Sequence, residues 1–162
     1  MTLGFEQRRR LLASPAGWIA LGFGSGLAPW APGTVGSAVA LLPWLLLRGL
    51  PWPWYIAAIV AAFALGAWAC DRAGRLIGVA DHGALVWDEF VGQWIALLPA
   101  LMAPWWTVLA GFVLFRLFDI LKPWPIGWVD RRVKGGLGVM LDDAVAGIAA
   151  ALMLALAMAW VG

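Results

Sequence analysis

The sequence predicts an all-α protein, a compact multi-helix integral membrane bundle with a re-entrant or irregular Gly-Pro loop near residues 24–37. Three observations carry that prediction. Of 162 residues, 64% are hydrophobic and only 12% are charged, about half the roughly 25% usual in soluble domains. Mean hydropathy is +0.87. Tryptophan outnumbers tyrosine 13 to 1, and indole rings favour membrane–water interfaces. Such a composition excludes a disordered chain. A formal net charge of +2, with no basic stripe interleaved with aromatics, argues against nucleic acid as a partner. The length suits a single domain over 1–162. One cysteine, Cys70, forbids an internal disulfide and any multi-cysteine metal site.

Each element follows from where charges and helix breakers fall. Arg8-Arg9-Arg10 is expected to hold the N-terminus on the cytoplasmic side rather than to open a secretory signal, because Gly and Pro interrupt the apolar run behind it. Ser14-Pro15 reads as N-cap and first position of a helix over about 14–28. Gly24 to Ser37 is too dense in Gly and Pro for a regular helix, and a second helix resumes at about 36–48. Uncharged Gly49 to Cys70 fits one helix over about 54–70, near the 20 or so residues that span a bilayer. Pro104 divides the next apolar stretch into helices at about 84–103 and 105–121, and Ala144 to Gly162 supplies the last, at about 144–161.

Folded back and forth, these helices place the turns at Arg48–Pro53 and Pro104 at one end. The 24–37 loop and segments 71–92 and 116–143 lie at the other. The acidic residues fall at or beside that second end, and so does every basic residue except Arg48 if helix 14–28 lies in the interface rather than spanning. The positive-inside rule makes that end cytoplasmic.

Acids near a membrane are costly, so each asks for a partner or a function. Asp88-Glu89 and Asp142-Asp143 both stand at the expected start of an apolar helix. The helix macrodipole favours one acid there by about 0.3–1 kcal/mol. It accounts less well for two adjacent carboxylates, twice. Adjacent carboxylates at low dielectric repel unless a cation joins them, and Mg²⁺ suits oxygen-only sites completed by water and phosphate.

Arg116, Asp119 and Lys122 follow at helical spacing. They make either an interfacial salt bridge with a snorkelling lysine, or a metal carboxylate flanked by two cations that hold a phosphate. Gly33-Thr34-Val35-Gly36-Ser37 offers backbone amides and two hydroxyls beside a helix start, either as an anion cradle or simply as a turn. His82, between Asp81 and Gly83, reads as a turn residue rather than a ligand. Asp71, Arg72 and Arg75 read as a solvated helix end, and Asp130, Arg131, Arg132 and Lys134 as a charged interfacial loop.

Absences narrow the chemistry. Cys70 lies in an apolar helix and is followed by Asp71, which disfavours a thiolate. A nucleophilic-histidine lipid phosphatase needs more than the one histidine present, and neither an Asp-x-Asp pair nor a Gly-x-Ser-x-Gly elbow occurs. For a site that handles phosphate, Mg²⁺-assisted attack by water on a phosphomonoester remains.

Taken together, Gly22 to Pro29, Ala31 to Ser37, Asp81-His82-Gly83 with Val86 to Gly92, Phe115-Arg116 through Asp119, Lys122 to Ile126, and Gly135 to Asp143 with Ala146-Gly147 resemble the phosphatidylglycerophosphatase A family. The likeness runs in order over about 16–150 and departs at none of the motif acids. It implies hydrolysis of the terminal phosphomonoester of phosphatidylglycerophosphate to phosphatidylglycerol, with Mg²⁺, in a bacterial cytoplasmic membrane. On that basis Asp88, Glu89, Asp119, Asp142 and Asp143 are expected to hold the metal, with one carboxylate left as base. Arg116, Lys122, Thr34 and Ser37 would bind the substrate, and the acyl chains would stay among membrane lipids. The alternatives are a small transporter or scaffold with intramembrane acids, and a phosphatase for another lipid monophosphate.

Overall fold

The computed structural model describes residues 3–161. Among them, nine α-helices and two 3-10 turns follow one another, with no strand. α1 (Phe5–Leu12) and α2 (Pro15–Ala20) are short, and Ser14-Pro15 opens α2 as expected. The helix expected over 14–28 stops at Ala20. Gly22, Phe23 and Gly24 take φ values of +54°, +56° and +99°, which turn the chain left-handed. Gly22–Leu27 then forms a 3-10 turn.

The irregular segment is shorter than 24–37, because α3 (Pro32–Val39) begins at Pro32. Proline is pre-organised for the first helical position, so the residue that argues against a helix interior here starts one. Thr34 and Ser37 consequently sit on a helix rather than in a loop. α4 (Leu41–Leu47) follows after a break at Ala40, where Pro43 has no N–H to give the Val39 carbonyl.

α5 (Trp52–Ile77) runs past Cys70 and ends at Gly78, whose φ of +75° makes a left-handed cap. α6 (Trp87–Ala96) is much shorter than the expected 84–103. Val86 N–H donates to the Ala20 carbonyl at 2.7 Å instead of joining a helix, and a 3-10 turn over Leu98–Ala100 carries Pro99. α7 (Trp105–Leu121) has the expected bounds. α8 (Ile126–Arg132) occupies a segment expected as loop. α9 (Gly135–Val161) starts at Gly135 rather than at 144, so Asp142 and Asp143 lie inside it and not at its first turn. Packing overrides the poor helix propensity of its glycines: Gly136 lies against the Ala67 carbonyl and Asp71, where no side chain would fit.

α9 is the centre of the bundle, with α5, α6, α7 and α8 against it. The α6–α9 crossing is close because each helix brings a glycine against the other's backbone: a Cβ on Gly147 would overlap the Gly92 carbonyl, and one on Gly92 would meet the Asp143 carbonyl. Small residues permit such approaches between apolar helices. Trp87 stacks on Phe90 with centroids 5.3 Å apart. The Trp87 and Trp94 indoles donate to the Ala62 and Ala40 carbonyls at 2.9 and 2.8 Å. With Trp44, these tryptophans belong to the core and not to an interface.

The two ends differ as expected. Arg48 donates to the Leu101 carbonyl at 3.4 Å, joining the two turns at one end. At the other, Gln7 donates to the Ile77 carbonyl at 2.9 Å, and Asp71 lies beside Gly135 and Gly136. Between the ends, α5, α7 and α9 turn Val60, Leu109, Val113, Leu152 and Leu156 outward. α5 and α9, with 26 and 27 residues, are long and apolar enough to cross a membrane.

Candidate active site

The first turn of α6, the end of α7 and the early part of α9 converge at the charged end. Asp88, Glu89 and Asp143 each bring a carboxylate oxygen to within 4.8 Å of the others. The glycine crossing sets this convergence: Gly92 lies one turn beyond Asp88, and Gly147 one turn beyond Asp143. Asp88 Oδ1, Glu89 Oε2 and Asp143 Oδ2 are buried with no donor among the described residues. A buried acceptor without a donor costs roughly 1–3 kcal/mol, and more when charged. Each of the three carboxylates thus has a buried oxygen without a donor and brings an oxygen to within 4.8 Å of the other two, an arrangement that fits an oxygen-seeking divalent cation.

Arg116 borders this cluster. Its guanidinium lies 2.6 Å from Asp119 and 3.9 Å from Glu89, and the three side chains are only 12–14% exposed. It also donates to Ser37 Oγ at 3.2 Å, while the Ser37 hydroxyl donates to the Gly33 carbonyl at 2.9 Å. The salt bridge that spacing allowed is thus formed, and it lies beside the carboxylates instead of replacing them. Asp119 in turn neighbours Asp143. Gly33 touches both charges: a Cβ there would run into Glu89 Oε1 and lie 3.1 Å from Arg116 Nη2. Thr34 is half-buried on the same turn.

Lys122 ends α7 in a left-handed conformation, φ +42°. Its Nζ donates to Asp142 at 2.5 Å and to Asp130 at 2.8 Å. Burial alone would lower its pKa, but the two carboxylates outweigh it and hold the ammonium above the ordinary lysine value. Lys122 in turn lowers Asp130 below the usual carboxylate range. Neighbouring residues on a helix point about 100° apart. Asp142 therefore faces Lys122 while Asp143 faces Asp88 and Glu89, and Asp142 Oδ1 is left buried without a donor.

The expected site residues other than Thr34 thus gather as two adjoining groups: Asp88, Glu89 and Asp143 with Arg116, Asp119 and Ser37, and Asp142 with Lys122. Sequence reasoning missed one member. Asp130 reaches Lys122 from α8, a segment expected as loop. Gln93, one turn beyond Glu89 on α6, is fully buried with both amide atoms unpartnered among the described residues.

The family model described as Phosphatidylglycerophosphatase A matches residues 18–158. The chain belongs to the phosphatidylglycerophosphatase A family and is a phosphatase. It is 46% identical over 146 residues to Phosphatidylglycerophosphatase A of Escherichia coli (strain K12), covering 90% of this chain and 85% of the relative. To the protein of the same name in Haemophilus influenzae it is 42% identical over 155 residues, 95% of each chain. A Bacteroides thetaiotaomicron protein, provisionally named a phosphatidylinositol-3-phosphatase, is 42% identical over 86% of this chain and 91% of its own. No solved structure matches the chain. Membership in a phosphatase family removes the transporter and scaffold alternatives.

Proposed function

We propose that the protein hydrolyses the terminal phosphomonoester of phosphatidylglycerophosphate, giving phosphatidylglycerol and inorganic phosphate, with Mg²⁺ as cofactor. The observation that carries this is the gathering of the Asp88, Glu89 and Asp143 carboxylates, each with a buried oxygen that lacks a donor, beside the Arg116 cation. The names of the Escherichia coli and Haemophilus influenzae relatives support the substrate. The Bacteroides relative keeps a second reading open, a phosphatase for another lipid monophosphate.

Asp88, Glu89 and Asp143 would hold the cation, with Asp119 adjoining. When bound, Mg²⁺ supplies charge neutralisation at the phosphoryl oxygens. Arg116 is oriented by Asp119 and Ser37 to meet a phosphate bidentately, and Lys122 offers a point charge held by Asp142 and Asp130. One carboxylate would accept a proton from the attacking water as the water oxygen bonds to phosphorus; the bond from phosphorus to the glycerol oxygen breaks, and the glycerol oxygen takes that proton from the carboxylic acid.

The same reading places the chain in a membrane, its charged end at the cytoplasmic face in a bacterial inner membrane. It rests on the outward apolar side chains of α5, α7 and α9 and on the gathering of charge at one end. Acyl chains would lie against that apolar surface while the headgroup reaches the carboxylates.

The test is phosphate release from phosphatidylglycerophosphate by detergent-purified protein, with Mg²⁺ and with chelator. Release that requires Mg²⁺ and exceeds that from phosphatidic acid is expected. Equal release in chelator would overturn the cofactor, and faster release from another lipid monophosphate would favour the second reading.

A further inference from the structure

A cavity of about 490 Å³ opens beside α3's first turn, lined by Arg8, Gly26, Leu27, Pro32, His82 and Gly83 among others. Pro32 faces this cavity, and Gly33, the next residue, faces Glu89 and Arg116. Adjacent Cα atoms are about 3.8 Å apart, so the cavity begins within one residue of the cluster.

Its walls are fixed. Gly26 lies against the Ala84 carbonyl with no room for a side chain, and Val86 N–H is bonded to the Ala20 carbonyl. His82 is 6% exposed, and its Nδ1 accepts the Ala84 N–H at 3.2 Å. Burial lowers its pKa, favouring the neutral ring. With Nδ1 an acceptor, the neutral ring carries its proton on Nε2. That N–H makes no hydrogen bond among the described residues, and His82 is one of the residues that line the cavity. Arg8 adds a cation, since Glu6, the acid of α1, sits against Arg9 instead.

We propose that this cavity is the subsite for a second phosphate, the phosphodiester joining the substrate's headgroup to its lipid, with Arg8 and the His82 Nε2–H as its donors. This rests on the phosphatase reading above. In phosphatidylglycerophosphate three carbons separate the two phosphate-bearing oxygens, so a monoester at the carboxylates leaves the diester near Pro32. Phosphatidic acid has no diester, and the subsite would therefore set the preference between the two lipids.

The first arm of the test is binding. His82 is the chain's only histidine, so its ring ¹⁵N signals are unambiguous. Glycerophosphoglycerol, a diester with no monoester, titrated into detergent-solubilised protein is expected to shift the Nε2 signal, and Arg8→Gln to weaken that shift. No shift at saturating concentration overturns the subsite whether or not the protein turns over lipid.

The second arm is kinetic. His82→Asn keeps an oxygen to accept the Ala84 N–H but deletes the Nε2 donor. The ratio of KM for phosphatidylglycerophosphate to KM for phosphatidic acid should rise about tenfold, as for loss of a hydrogen bond to a charged group, with kcat changing less. His82→Gln, which restores an N–H at that reach, should recover most of it. An unchanged ratio, or equal rises for both lipids, contradicts the proposal while leaving the phosphatase reading intact. No phosphate release from either lipid by the unaltered protein would instead overturn that reading.

Discussion

Gly33 comes so close to the Glu89 carboxylate that a methyl group on its Cα would occupy the place of Oε1. The obstacle is the tip of a flexible side chain, so folding can accommodate alanine by moving the carboxylate. Gly33→Ala should therefore keep its thermal midpoint within a few degrees while phosphate release falls about tenfold or more, the cost of a displaced catalytic group. Asp142 and Asp143 separate in the same way. Asp143→Asn removes a member of the carboxylate cluster and should cost about 10²–10³-fold in kcat, the scale of losing a preorganised electrostatic contact. Asp142→Asn loosens Lys122, which keeps Asp130, and should act mainly on KM. Equal losses in kcat for the two variants would show that Asp142 belongs to the reacting centre.

At the scale of elements, the site depends on how closely α6 and α9 cross. A Cβ at Gly147 meets the Gly92 carbonyl, which is backbone and cannot swing aside. Gly147→Ala should lower stability by about 1–3 kcal/mol, as overpacking does, and should also separate Asp143 from Asp88 and Glu89. Thermal unfolding in detergent checks the first effect and phosphate release the second. This crossing marks the boundary of what the sequence discloses. Prolines before and after α7 made its bounds legible, and the pairing of two adjacent acids, twice, pointed to the site. That Asp143 meets Asp88 and Glu89 while Asp142 turns to Lys122 was not legible, because α9 was expected to start at 144, with both acids ahead of it. Tertiary contact of Gly136 with α5 carries the helix back to Gly135, against glycine's propensity. α3 was hidden for the opposite reason: its proline starts a helix, and density of Gly and Pro reads as loop.

Across the whole molecule, charge gathers at one end and apolar side chains face outward between the ends. At about 1.5 Å per residue, α5 and α9 reach roughly 40 Å, enough for a tilted crossing of a hydrocarbon core about 30 Å thick. Cysteines introduced at exposed Gly49 and Arg132, with Cys70 buried, should react with an impermeant thiol reagent from opposite faces, Gly49→Cys in intact cells and Arg132→Cys only in inverted vesicles. Labelling of both from one face would contradict a spanning bundle. A divalent cation held by the Asp88, Glu89 and Asp143 carboxylates binds only the folded state and must therefore stabilise it. The most direct measurement is the thermal midpoint of the detergent-purified protein with increasing Mg²⁺, beside that of Asp143→Asn. A rise of several degrees in the unaltered protein, absent from Asp143→Asn, is predicted. No rise in the former, or the same rise in both, would contradict a cation held by Asp88, Glu89 and Asp143.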